Sequence, residues 1–258
     1  MGKVIDRTGE EGLNNFGSKM IIKEYRKRVD IDVYFPEYDW TFEHARYSNF
    51  KKGGIKCPYE PRYYGVGCLG EGKYKMSENG KNTDEYNIWY HMLRRCYDPK
   101  FHERESTYKG CKVEEYLLNF QNMCEWIEEN YYEVPGEKMH LDKDILCKGN
   151  KVYSRDTCIF VPQRINNLFT KSDKSRGKNP IGVTELPSGN YQVQCWAGNG
   201  KQIYLGTYIT KEEAFQVYKQ CKKKVIKETI DSYEGKIPEP HYGRLKTAMY
   251  NYEVEIDD

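Results

Sequence analysis

Between Tyr191 and Trp196 the side chains alternate in kind: Tyr191, Val193 and Cys195 fall on one face of an extended chain, and Gln192, Gln194 and Trp196 on the other. A few residues on, Gln202 and Tyr204 repeat the scheme against Ile203 and Leu205, with Thr184 and Asn190 upstream. Amides can pair with adenine edges in the major groove, so this face has the chemistry to read duplex DNA, as β-sheet readers do. It serves equally as the wetted face of an ordinary small αβ domain. A second group of interest is Asp142-Lys143-Asp144. Two carboxylates at that spacing offer hard oxygens of the kind that hold a partly hydrated magnesium ion, and they also make a common solvated turn. His91, beside Met92 and near Arg94 and Arg95, reads as a surface or phosphate-contact residue, and His102 carries the same bland reading.

The elements that must position these groups follow from periodicity. KMIIKEYRKRVDIDVYF, from Lys19 to Phe35, holds two β-rich runs with Ile31, Val33 and Phe35 in alternation, and glycines punctuate the rest of the first 76 residues. Ser77 to Thr83 is polar and reads as a linker. Trp89, Met92, Leu93 and Cys96 form one helical stripe, and Leu117, Phe120, Cys124 and Ile127 another. After a Pro-Gly turn, MHLDKDILCKGNKVYSRDTCIFVPQRINNLF reads as a hairpin feeding a helix that starts at Gln163. Residues 170–179 are a polar, basic connector. Three strand-like runs then lead into a helix, with Thr210 and Glu213 as its capping box and Ala214, Tyr218, Cys221 and Val225 as the stripe that covers the sheet.

The whole chain has 258 residues, enough for two or three compact units. Only 38% of residues are hydrophobic, 31% are charged and 24 are Tyr, which points to several small ring-rich cores. A net charge of +2 selects no partner by itself, so distribution decides. Positive charge gathers at Arg155, Arg164, Lys171, Lys174, Arg176 and Lys178, and again at Lys219, Lys222, Lys223, Lys224 and Lys227. Nine scattered Cys without a CxxC pair argue against a disulfide framework or zinc knuckle. No run is long and apolar enough to span a bilayer, so a soluble intracellular protein with no membrane partner is expected. Residues 1–76 carry no phosphate-binding loop, and Gly65-Val66-Gly67-Cys68-Leu69-Gly70 lacks the βαβ context of a dinucleotide site.

IGV, the GNY turn, IYLGTY and TKEEAFQVY, within about residues 180 to 225, resemble the Apetala/ERF-type DNA-binding domain in its integrase-type form. NIWYHMLRRCY, WIEENY and LDKDILCKGNKVYSRDTCIFVPQRINNLF resemble the HNH segment of bacteriophage homing endonucleases, which commonly precedes such a domain. The resemblance implies an α+β, multi-domain chain: a β-rich accessory domain at 1–76, a ββα-metal (HNH-like) unit with flanking helices at 84–169, and a three-stranded antiparallel sheet packed on one helix at 180–250. It implies metal-dependent cleavage of double-stranded DNA, with Mg2+ or another divalent metal on Asp142 and Asp144, in the cytoplasm of a bacterial host. Where the family shows Asp-His, this chain has Asp142-Lys143, so the base is Lys143 or missing, with His140 close enough to substitute. Asn150 or Asn166 orients the base or completes the metal shell. Thr184, Asn190, Gln192, Gln194, Trp196, Gln202 and Tyr204, with Lys174, Arg176 and Lys178 of the connector, are the implied DNA contacts. The alternative is an inactive HNH relative that binds DNA as a regulator, or an effector that captures a host protein.

Overall fold

The computed structural model describes residues 5–170, 179–197 and 201–256, and it is a mixed α and β chain with several small sheets. It forms two compact units, Met1–Ile127 and Glu128–Asp258. In the first, β1 (Glu11–Leu13), β2 (Lys19–Lys27), β3 (Asp30–Phe35) and β4 (Trp40–Ala45) make an antiparallel meander in chain order. Strand alternation drives Met20, Ile22, Ile31, Val33 and Phe35 to one face, where all are fully buried. Phe50 of α1 (Tyr47–Lys51) joins Ile55 and Cys57 in closing that core.

Residues 77–83, expected as a linker, instead contain a small hairpin, β5 (Ser77–Glu78) with β6 (Lys81–Asn82). Asn79 and Gly80 turn it with φ of 50 and 76°, the left-handed pair that two-residue hairpins demand. Next come α2 (Asp84–Tyr97), α3 (Pro99–Arg104), β7 (Lys112–Val113), α4 (Glu115–Leu118) and α5 (Phe120–Asn130). Thr83 caps α2 by accepting from the Tyr86 N–H, and Trp89, Met92, Leu93 and Cys96 are all buried as their spacing requires. The Trp89 indole N–H donates to the Leu117 carbonyl at 3.1 Å. Gly67 lies so close to this helix that a Cβ there would meet Leu93 at 2.4 Å. Backbone packing at Gly67 and the Cys68 to Asn119 bridge hold residues 84–127 with the first unit.

The second unit begins with β8 (Met139–Asp142), β9 (Val152–Tyr153), β10 (Ile159–Pro162) and α6 (Gln163–Leu168). β8 and β10 pair antiparallel, with Asp142 opposite Ile159, and every residue of β10 is buried. Pro162, at the helix N-cap, launches α6. A sheet of β11 (Val183–Glu185), β12 (Tyr191–Trp196) and β13 (Gln202–Tyr208) follows, then α7 (Lys211–Asp231) and α8 (His241–Tyr250). Thr210 caps α7 by accepting from the Glu213 N–H at 3.2 Å. One flank of α7 covers the sheet through Ala214, Tyr218 and Val225. Its other flank takes Leu245 and Met249 of α8, a helix with no counterpart in the sequence reading. Lys222, buried among these, donates to the Leu168 carbonyl at 2.7 Å and so satisfies the last turn of α6. This bond and the packing of α6 on α7 join the hairpin, α6 and the sheet within the second compact unit.

Gly182 is where the sheet and α7 meet most closely. Its φ is +73°, and a Cβ there would sit 2.1 Å from the Tyr218 ring. Gly182→Ala is expected to destabilise the second unit by about 2–4 kcal/mol, combining left-handed strain with overpacking. Urea denaturation followed at Trp196 checks this, and a loss under about 0.5 kcal/mol would refute the tight seam.

Candidate functional site

Cross-strand partners share a face of a sheet, so the register of the second unit's three strands identifies what points outward. Thr184, Gln192 and Thr207 form one row across the strands, Gln194 and Tyr204 a second, Trp196 and Gln202 a third. On the opposite face Val193 and Cys195 are buried beneath α7, and Val183 with them. The outward residues are exposed or half-buried, Tyr204 at 59%. Its hydroxyl lies 3.0 Å from that of Thr207. Thr207 escaped the sequence reading because the register shifts between Val193 and Gln194: Gly206 faces Val193 and Tyr204 faces Gln194, which leaves Leu205 as the extra residue of a bulge. Gly206, at φ +116° inside a strand, was the available signal.

Asn190 precedes β12, where its carbonyl accepts from the Leu186 N–H at 2.8 Å. Lys174, Arg176 and Lys178, together with most of the connector, lie outside the described residues, as does the 198–200 turn. The lysines of α7 do not join the outward face. Lys222 is buried on Leu168, Lys219 and Lys223 pair with Glu253, Lys224 pairs with Glu228 at 3.7 Å, and Lys227 stands over the Tyr250 ring.

In the ββα part, β8 places His140 and Asp142 on one face, opposite Val161 and Ile159. Asp142 Oδ1 accepts from the N–H groups of Asp144 and Ile145 at 2.8 and 2.7 Å, which turns the chain out of the strand. Burial and the nearby Asp144 carboxylate push the Asp142 carboxyl up to about 6. Lys143 is buried; its ammonium lies 2.9 Å from Asp144 and over the Tyr153 ring. Asn150 donates to the carbonyls of Lys143 and Val152 at 2.6 and 2.7 Å and accepts from the Val152 N–H at 3.1 Å. It cross-ties the two ends of the loop. The structure thus brings Asp142, Lys143, Asp144 and Asn150 together, and places Asn166 on α6, which packs against β8. Asp142 and Asp144 offer hard oxygen donors of the kind a magnesium-class ion takes, which is commonly completed by water and phosphate.

Among the described residues, a three-donor cluster occurs elsewhere, at Asp30, Asp32 and His44 of the first unit. Arg26 already stands among these groups, 3.1 Å from Asp30 Oδ1 and from Asp32 Oδ2. His44 Nδ1 lies 2.9 Å from Asp30. Arg26 holds both carboxyls below the usual carboxylate range, and Asp30 raises the His44 imidazole. A divalent ion would have to displace the guanidinium, so the network reads as a clasp across β2, β3 and β4. The four residues are too far apart in sequence for spacing to reveal it. No family model, curated protein or solved structure matches the chain. Among the described residues, no helix is long and apolar enough to cross a membrane.

Two titrations test these placements. Folded Asp142 keeps its proton to higher pH than the unfolded chain does, so its ionisation lowers stability as pH rises from about 4 toward 6. Asp142→Asn keeps an acceptor for both N–H groups and removes the charge. In metal-free buffer at pH 7.5 it should stabilise the second unit by about 1–3 kcal/mol, and at pH 4 hardly at all; destabilisation at pH 7.5 would contradict the assignment. For His44, raised in the fold, any stabilising contribution is complete below the unfolded pKa and fades as pH climbs through the folded one. NMR titration should show Asp30→Asn bringing His44 back toward about 6.5.

Proposed function

We propose that this protein binds double-stranded DNA through the outward face of β11–β13 and is a relative of the bacteriophage HNH endonucleases, with an Apetala/ERF-like domain as its reader. The observation that carries the reading is the three-row face of Thr184, Gln192, Thr207, Gln194, Tyr204, Trp196 and Gln202 on a sheet whose other side buries Val183, Val193 and Cys195. A three-stranded sheet suits the major groove, its amides suit base edges, and its hydroxyls and ring edges suit phosphates and thymine methyls.

The hairpin and α6 are assigned the cleavage role. Asp142 and Asp144 would hold a divalent cation of the magnesium class, which when bound supplies charge stabilisation at the scissile phosphate. Asn150 fixes the loop that presents both carboxylates, His140 on the same strand face as Asp142 would be the base, and Lys143 limits the repulsion between the carboxylates. A second reading has a specific observation in its favour. The Lys143 ammonium occupies one carboxylate, and the side chain of Asn150 is spent on backbone groups, which equally suits a relative that binds DNA without cutting, as a regulator or a host-protein effector.

Incubating the protein with supercoiled bacteriophage DNA and magnesium or manganese separates the two readings. Nicking that disappears in Asp142→Ala/Asp144→Ala, with duplex affinity kept, supports the nuclease; binding without nicks supports the second. Trp196→Ala/Tyr204→Ala should weaken duplex binding at least tenfold, since stacking and edge contacts are each worth about 1–3 kcal/mol. Affinity equal to wild type in that variant would remove the sheet from the proposal.

A further inference from the structure

Three lysines from two separate elements of the second unit close on one short segment. On α7, Lys223 Nζ lies 2.7 and 2.8 Å from the two carboxylate oxygens of Glu253, and Lys219, one turn earlier, lies 3.4 Å from Oε2. From the loop that leaves β8, Lys148 Nζ donates to the Glu253 carbonyl at 2.7 Å and pairs with Glu255 at 2.9 Å. Val254 between the two acids is buried, and the Tyr252 ring lies 4.6 Å from the Lys148 ammonium.

Ammonium groups drawn together repel one another unless an anion sits among them. Here a carboxylate bridges Lys219 and Lys223 with its two oxygens, in the way the two non-bridging oxygens of a phosphodiester would. The groups are partly exposed, from 31% for Lys219 to 65% for Glu253. Such exposed pairs contribute little to stability, so the carboxylates are exchangeable for a stronger polyanion. Lysine binds phosphate as a point charge and needs no shape match to make the exchange.

We propose that Lys148, Lys219 and Lys223 form a binding site for the phosphate backbone of a nucleic acid, and that Glu253 and Glu255 occupy it in the resting chain as stand-ins for phosphate. The inference rests on the DNA-binding reading and adds a contact region apart from the sheet's outward face. Backbone and residues 251–256 then compete for the same ammonium groups.

The test is duplex binding by the full chain, followed by fluorescence anisotropy over a salt series. Glu253→Gln/Glu255→Gln keeps side-chain size and the Val254 anchor, and should tighten binding about five- to tenfold at low salt with a log–log salt slope steeper by about 1–2. Adding Lys219→Gln/Lys223→Gln should abolish that gain. Should the glutamine pair melt early, Lys148→Glu/Lys223→Glu in the otherwise native chain should weaken binding by a similar factor. Affinity and slope at wild-type values in the variants that fold would overturn the site. Trp196→Ala/Tyr204→Ala keeps the two readings apart: if it binds as wild type does while the glutamine pair still tightens, the sheet reading fails and the lysine site stands. The reverse pattern removes the lysine site alone, and no binding by any protein at low salt overturns both.

Discussion

A three-stranded sheet of short strands is too small to be stable alone, because one apolar face must be removed from water and the strands cannot do this themselves. Here α7 does it. Val183, Val193 and Cys195 are sealed under a helix that is itself anchored at both flanks, by the sheet on one side and by α8 and the Lys222 to Leu168 bond on the other. From that seal follows the division of chemistry in the second unit. With one face closed, the alternate residues of β12 and β13 have only the opposite face, and a polar, ring-bearing surface is the result. The same helix sets where its lysines go, and they serve the fold and residues 251–256 rather than the outward face.

How much of this was legible depended on the range of the interactions. Alternation at Ile31, Val33 and Phe35, the stripe from Trp89 to Cys96, the Thr210 cap and the Gln163 helix start are local signals, and each appears where its spacing places it. What was hidden is non-local or depends on a single irregular residue. One bulge beside Gly206 changes the phase of β13 and brings Thr207 outward, which strict alternation cannot foresee. The partner of the α7 lysines was equally hidden, since Glu253 lies thirty positions away from Lys223. Residues 77–83 looked like a linker by composition, but Asn79-Gly80 is also a hairpin turn, and Gly67 packs onto α2 without regard to it.

The candidate site divides the same way. Position along the chain foretold the strand, loop and helix that hold Asp142, Asn150 and Asn166, but not the job of Asn150, whose amide is consumed in tying Lys143 to Val152. An asparagine in a loop has four hydrogen-bonding options, and only the folded chain fixes which are spent. The first unit supplies the contrast. Asp30, Asp32 and His44 offer three donor groups, yet Arg26 already satisfies the two carboxylates, so ligand type alone does not mark a metal site.

Charge balance gives the sharper criterion. Around Arg26 the carboxyls are held below their usual range, a sign that the fold is already complete without a further cation. At β8 the opposite holds: one ammonium, that of Lys143, stands beside two carboxylates, and Asp142 keeps its proton to about 6. Ionising it costs the fold stability, and no packing need explains an acid there, since asparagine would accept the same two N–H groups. Residues that cost stability where a neutral isostere would fit are concentrated at working sites. Under the proposed reading, the missing positive charge is the one a divalent cation brings, and the unmet charge rather than the D-x-D spacing is the stronger reason to look for chemistry at Asp142.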